Sequence, residues 1–272
     1  SFEGNRTGDL ADPKRSFILH GAAKQTEVGK LRSGFKIEKS GFLESKEVGN
    51  LEHNQSFSWS VWVKTPKNLS GAILSKMDES KKYRGYDIWL EGGRVGMHLI
   101  NEFPENAIKA VSKKPIPANQ WHHLAITYNG KSKASGLKVY LNGKKQVMEV
   151  THDSLSKTIR TPKAFRIGRR FNGGPVNGLE IDEIRLYSRV LLTREIDRLG
   201  FVDSILPLLK DEPGTLKPAQ RNFLVEYYLD RHAPDYKSKL AARNQKQQAL
   251  AGLGKNKLTS MIMGDNPANK AR

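Results

Sequence analysis

GLEIDEIRLYSRVLLTREI, residues 178–196, decides how the chain is read, because a strand ends and a helix begins within it. Ile181, Glu183 and Arg185 alternate with Asp182, Ile184 and Leu186, the two-residue period of a strand. After Tyr187 the pattern changes. Thr193 suits an N-cap, Glu195 falls in the favourable first turn, and Gly200 can stop a short helix over 194–199.

Working outward, the preceding chain repeats the strand signal. FSWSVWVKTP puts Phe57, Trp59, Val61 and Val63 on one face, the inner face of a sandwich, and Trp62 on the other, packed under a loop or offered to a ligand. WHHLAITYNG, from Trp121, and GLKVYLNGKKQVMEV form the clearest hairpin region, with Asn142-Gly143 as a two-residue type I′ turn. His122 and His123, being strand neighbours, face opposite ways and read as strand residues with backbone or water partners. FRIGRRFNGG gives a strand with Phe165, Ile167 and Arg169 on one side and Arg166 and Arg170 on the other, before a glycine-rich loop that lacks a nucleotide-binding pattern. Nearer the start, short strands are expected around Phe17–Leu19 and Phe35–Ile37, the latter followed by a Ser40-Gly41 turn.

The terminal strand, G-x-I-D-E-[IV]-R-[IL]-Y-x-R-x-L, together with W-x-H-[LV]-A-x-T-Y-x-G and [VI]-Y-[LV]-N-G, resembles laminin-G-like (concanavalin A-like) jelly-roll modules. That resemblance implies a mainly β fold: a two-sheet antiparallel jelly-roll sandwich over 1–200 with a C-terminal helical appendage. EIDE is also similar to the E-x-D-x-E strand of laminarinase-type glycoside hydrolases in the same superfamily. Retaining glycosidases need two carboxylates about 5–5.5 Å apart. With Glu180 and Asp182 on one strand face, the third acid would stand at 184, where Ile184 is found. The reading is therefore non-enzymatic.

Composition sets further bounds. Forty-six Lys and Arg against 28 Asp and Glu give a net charge of +18, which suits an anionic partner. The excess is densest in residues 101–192, where Lys157, Arg160, Lys163, Arg166, Arg169 and Arg170 follow one another with no acid between Ser154 and Leu179. Aromatics are not interleaved with this run, so nucleic acid is not expected as a partner. No cysteine is present, which excludes a disulfide or thiolate metal site in this stretch, and no apolar run is long enough for membrane insertion. The first residues, SFEGNRTGDL, do not read as a signal peptide, and a piece of a longer protein is expected.

Beyond Gly200, Pro207, Pro213, Gly214 and Pro218 suggest a linker over 201–217. Helices are expected near 218–231 and 235–252, forming a helical hairpin and the start of a truncated following domain within 218–272. YYLDRHAPDY and LTSMIMGDNPANKAR are similar to a junction in large exported planctomycete-type proteins, where a laminin-G-like insert lies between family-specific domains, often beside c-type cytochrome modules. What this implies is an extracytoplasmic, periplasmic or secreted, location and flanking domains as partners.

For function the informative stretch is SKMDESKKYRGYDIWLEGGRVGMHLI, residues 75–100. Tyr83, Arg84, Tyr86, Asp87 and Trp89 combine flat apolar faces with hydrogen-bonding groups, the mixture that a sugar ring needs; each aromatic can equally be a buried strand residue. Arg169 and Arg170 are candidate anchors for an acidic polysaccharide, the alternative being a solvated edge that keeps the sheet from pairing. The family resemblance also implies a structural Ca²⁺, with Glu3 and Asp182 as side-chain ligands. The expected function is non-catalytic recognition of a glycan; the alternative is a spacer that orients neighbouring domains.

Overall fold

The computed structural model describes residues 16–208, apart from 28, 31 and 32, and scattered positions between 214 and 250. Compact units span Ser1–Lys210 and Asp211–Arg272. The first contains β1 (Ile18–Thr26), β2 (Gly34–Ser45), β3 (Ser56–Lys64), β4 (Gly71–Asp78), β5 (Arg84–Glu91), β6 (Arg94–Glu102), β7 (Asn106–Pro115), β8 (Trp121–Asn129), β9 (Leu137–Leu141), β10 (Lys144–Lys145), β11 (Met148–Asp153), β12 (Phe165–Ile167), β13 (Leu179–Tyr187) and α1 (Thr193–Leu208).

All pairings are antiparallel, along the path β10-β9-β8-β3-β13-β2-β12-β4-β5-β6-β7-β11, with β1 on the free side of β2. The path curls into a jelly-roll sandwich because β2 serves both layers: Phe35 and Ile37 pair with β13, whereas Leu43–Ser45 pair with β12. Where it changes layer, Lys39 and Ser40 take positive φ and Gly41 lies against β1, a Cβ there coming within 2.2 Å of the Ala23 nitrogen. The alternate residues of both layers meet in one core. Trp59 from β3 stacks on Phe165 from β12 at 5.4 Å and tilts against Tyr86 from β5 at 6.4 Å, so three strands that share no hydrogen bonds are joined through aromatic faces.

Two features of residues 178–196 differ from the strict pattern. Leu179 and Ile181 face the core, and so do Ile184 and Leu186, which simple alternation would put on the other side. An extra residue resets the phase: the register with β3 shifts between Asp182 and Arg185, and Glu183 sits at φ 51°. The helix also continues past Gly200, taking residues 201–208 out of the expected linker. A glycine is needed there for packing rather than for stopping, since a Cβ on Gly200 would lie 2.9 Å from His123 Nδ1. Thr193 opens the helix, while the capping is done by Glu195, whose carboxylate accepts the Leu192 N–H at 2.8 Å.

In the second unit the described positions between Pro218 and Leu229 and between Tyr236 and Leu250 are helical. Among the described residues no helix is long and apolar enough to cross a membrane. Asn142 and Gly143, with φ 49° and 78°, make the expected tight turn between β9 and β10.

Candidate functional site

The registers place one polar row across the outer face of the β12-β4-β5-β6-β7 layer. Arg166 is opposite Ser75, Ser75 opposite Asp87, Asp87 opposite His98 and His98 opposite Lys109. Their strand neighbours Phe165, Leu74, Tyr86, Met97 and Ile108 all point into the core, so the row must face outward. The chain between β12 and β13 then folds back over it. Ser75 Oγ donates to the Arg169 carbonyl at 3.0 Å, Ala72 N–H to the Gly174 carbonyl at 2.9 Å, and Asn172 N–H to Glu79. Gly174 lies so close to the Trp89 ring that a Cβ would meet it at 2.6 Å.

Arg170 locks this loop down. Its Nε donates to Asp87 Oδ2 at 2.6 Å, and its guanidinium lies 4.0 Å from the Trp89 ring centre and 5.6 Å from that of Tyr83. Asp87 is wholly buried and also meets His98 Nδ1 at 2.6 Å. Because a carboxylate only accepts, that nitrogen carries the proton. Burial pushes the Asp87 carboxyl upward, but His98 and Arg170 beside it outweigh burial and hold it below its ordinary value.

Above this clamp stands an exposed aromatic. Lys82 and Tyr83 adopt successive positive φ values of 50° and 65°, which lift Tyr83 to 41% exposure at the head of β5. Phe103 meets it edge-on at 6.3 Å and His152 lies 4.8 Å beyond Phe103. Arg84 steadies the same end, donating from Nε to the Asn101 carbonyl at 3.2 Å, and Lys82 pairs with Glu102.

The residues singled out in the sequence thus divide. Tyr83, Trp89 and Arg170 come together, while Arg84, next to Tyr83 in the chain, is held by the Asn101 carbonyl. Tyr86 and Asp87 are corrections: Tyr86 is a core residue, 1% exposed, with its hydroxyl donating to the Gly49 carbonyl at 2.8 Å, and Asp87 lies beneath the loop, out of a ligand's reach. Arg169 and Arg170 do not leave a continuing strand on opposite faces, because β12 ends at Ile167 and Gly168 turns the chain at φ 101°. Arg169 donates to the carbonyls of Arg170 and Asn172, each at 3.2 Å. Much of the basic run is similarly committed: Arg166 pairs with Glu44 at 2.6 Å between the rings of Phe42 and Phe171, Lys163 covers Phe171, and Arg160 lies 3.6 Å from Glu52. His98, Phe103, His152 and Glu79 carried no signal of their own in the sequence.

Glu3 lies outside the described residues. Asp182 is buried, and its carboxylate accepts the backbone N–H groups of Lys30 at 2.9 Å and Glu183 at 2.8 Å. A calcium ion requires six to eight oxygens. Both of these Asp182 partners are N–H donors rather than oxygens, and Glu3, the other expected ligand, lies outside the described residues. The other acids of the stretch are engaged too, Glu180 with Lys64 at 3.1 Å and Glu183 with Arg185. Trp62 is buried under Lys30, and His122 accepts from Asn142 and donates to the Pro117 carbonyl as a neutral ring, its pKa lowered by burial.

Comparisons with known proteins agree with this architecture. The binding domain of Paraclostridial Mosquitocidal Protein 1 superposes with a TM-score of 0.60 at 17% identity, covering 74% of this chain and 50% of that one. The receptor binding domain of the botulinum neurotoxin C/D mosaic serotype superposes with a TM-score of 0.52 at 18% identity, covering 68% and 46%. The chain therefore spans about half the length of these structures, and at such identity the likeness is one of fold. No curated protein sequence matches. A family model described as the concanavalin A-like lectin/glucanases superfamily, of laminin-G type, matches residues 38–197, more than half of the chain, and the chain belongs to that family.

Proposed function

We propose that the sandwich is a non-catalytic recognition module that binds a glycan at the head of β5. The observation that carries this reading is Tyr83, raised on two left-handed residues and exposed, backed by Phe103 and Arg170. A sugar ring lays its C–H face on such a ring, and the neighbouring Arg84 carries N–H groups for hydroxyls. Membership of a lectin-containing superfamily supports a binding role, as do the binding domains of the two toxins with which the fold is shared. The engagement of Glu180, Asp182 and Glu183 by neighbouring groups supports the absence of catalysis.

The acidic-polysaccharide version of this proposal is weakened, because Arg170 already holds a carboxylate and Arg169 already holds two carbonyls. A neutral glycan suits the rim better. The spacer reading draws on that same internal commitment of the basic run. With the glycan reading go the flanking domains and the extracytoplasmic location that the family resemblance implies.

Glycan-array screening of the whole chain, followed by calorimetric titration of the best ligand, tests the proposal. Tyr83→Ala should weaken binding by about tenfold, equivalent to about 1.4 kcal/mol, and leave thermal stability unchanged. Binding that ignores this change would move the site elsewhere. A blank array would favour the spacer.

A further inference from the structure

Four asparagines precede glycine in this chain, at 129, 142, 172 and 177, and the fold treats them differently. Asn142 uses its whole carboxamide: Oδ1 accepts the His123 N–H at 2.9 Å, and Nδ2 donates to His122 Nδ1 at 2.9 Å. Asn177 accepts the Ser40 N–H at 2.7 Å, and the following Gly178 N–H donates to the Ile37 carbonyl at 2.7 Å. Asn129 accepts the Lys131 N–H at 3.1 Å and is pressed against Gly136, where a Cβ would lie 2.0 Å from Oδ1. The Asn172 side chain is exposed and makes no hydrogen bond among the described residues.

Asn172 has a second peculiarity. The carbonyl of the Asn172-Gly173 peptide accepts from Arg169 Nη2 at 3.2 Å. A guanidinium on a peptide oxygen draws electron density from the amide and makes its N–H more acidic, here the Gly173 N–H. Arg170 and Arg166 are paired with Asp87 and Glu44, and Glu79 accepts the Asn172 N–H, so Arg169 is the cation that acts on this peptide. Gly173 has no side chain to shield its nitrogen.

From these contacts we infer that the Asn172-Gly173 step is a self-modification site, a deamidation centre promoted by Arg169. Solvent base removes the Gly173 N–H proton, and the nitrogen attacks Asn172 Cγ. The new N–Cγ bond forms as the Cγ–Nδ2 bond breaks, and Nδ2 leaves with protons from solvent as ammonia. Water then adds to either carbonyl of the resulting succinimide and opens the ring to aspartate or isoaspartate at position 172. The product introduces a carboxylate beside Glu79, which already accepts the Asn172 N–H. Like charges there oppose the closed loop that carries Arg170. The fold therefore holds a slow, irreversible way of loosening the cover over Trp89.

The test is to age the intact chain in mildly alkaline buffer and follow all four steps by peptide mapping, reading loss of ammonia and the isoaspartate isomer. Position 172 should convert faster than 129, 142 and 177 by about tenfold, a barrier difference of about 1.4 kcal/mol. In concentrated urea the four rates should converge, since every step then has the same Asn-Gly chemistry without its fold. Arg169→Gln should slow position 172 severalfold in the folded chain and leave the other three unchanged. A faster step elsewhere in the folded chain, a preference for 172 that persists in urea, or a rate at 172 that ignores Arg169→Gln would each overturn the inference.

Discussion

The two outer faces of the sandwich meet the same requirement in opposite ways. On the β8-β9 side, α1 and the residues leading into it cover the sheet with apolar side chains: Ile196 of the helix and Leu191 before it pack on Ala125 and Tyr140. On the β4-β5-β6 side, the loop after β12 is fastened by an ion cluster, Arg170 on Asp87 with His98 on the other oxygen. An apolar cover tolerates small shifts and closes a face for good. An ionic clamp fixes a few atoms and leaves partly exposed rings around them, which is why the candidate ligand surface lies on that side. Breaking each cover shows how different they are.

The largest effect should come from Asp87→Ala. It removes the carboxylate that Arg170 and His98 share and leaves those two groups facing each other. Loss of one partner from a buried pair costs about 3–5 kcal/mol, measurable by urea unfolding. A loss near zero would show that water replaces the carboxylate and that the loop does not depend on it. On the other face Ile196→Ala deletes a fully buried side chain and should cost about 2–3 kcal/mol, without the sensitivity of a charge cluster to pH. If the two variants respond alike to acid, the contrast between the covers is mistaken.

What was legible in the sequence follows the same division. Local signals survived: Asn142-Gly143 made its turn, and Phe57, Trp59, Val61 and Val63 faced the core because alternation and turn chemistry act within a few residues. The inward direction of Tyr86 was open to the same argument, since Ile88 and Leu90 share its phase. The burial of Asp87 was not, because its cover arrives from Arg170, 83 residues later. Glu183 concealed a bulge for a related reason: an extra residue in a strand has no composition of its own, and only the core contacts of Ile184 and Leu186 disclose it. Gly200 was misread as a stop because its constraint is a close approach to His123 across the sheet.

The smallest expected effect is at the start of α1, where Arg189 and Glu195 make two bonds of 2.8 Å at the protein surface. Arg189 is the main reason that the Glu195 carboxyl is lowered from 4.5 to about 2, with the Leu192 N–H second. Its folded pKa is depressed, so whatever it contributes to stability is complete above the unfolded value of 4.5 and is lost as pH falls toward about 2. The Leu192 amide resonance should therefore titrate with a midpoint near 2, and the first turn of α1 should fray below it while the sandwich stays folded. Added salt separates this exposed pair from the buried one. Screening over about 8 Å at physiological ionic strength should raise the Glu195 midpoint back toward its ordinary value, whereas Asp87, enclosed with both its partners, should titrate in the same place. Equal salt dependence at the two carboxylates would mean that solvent reaches Asp87 through the loop, and the cover on that face would then have to be regarded as open in solution.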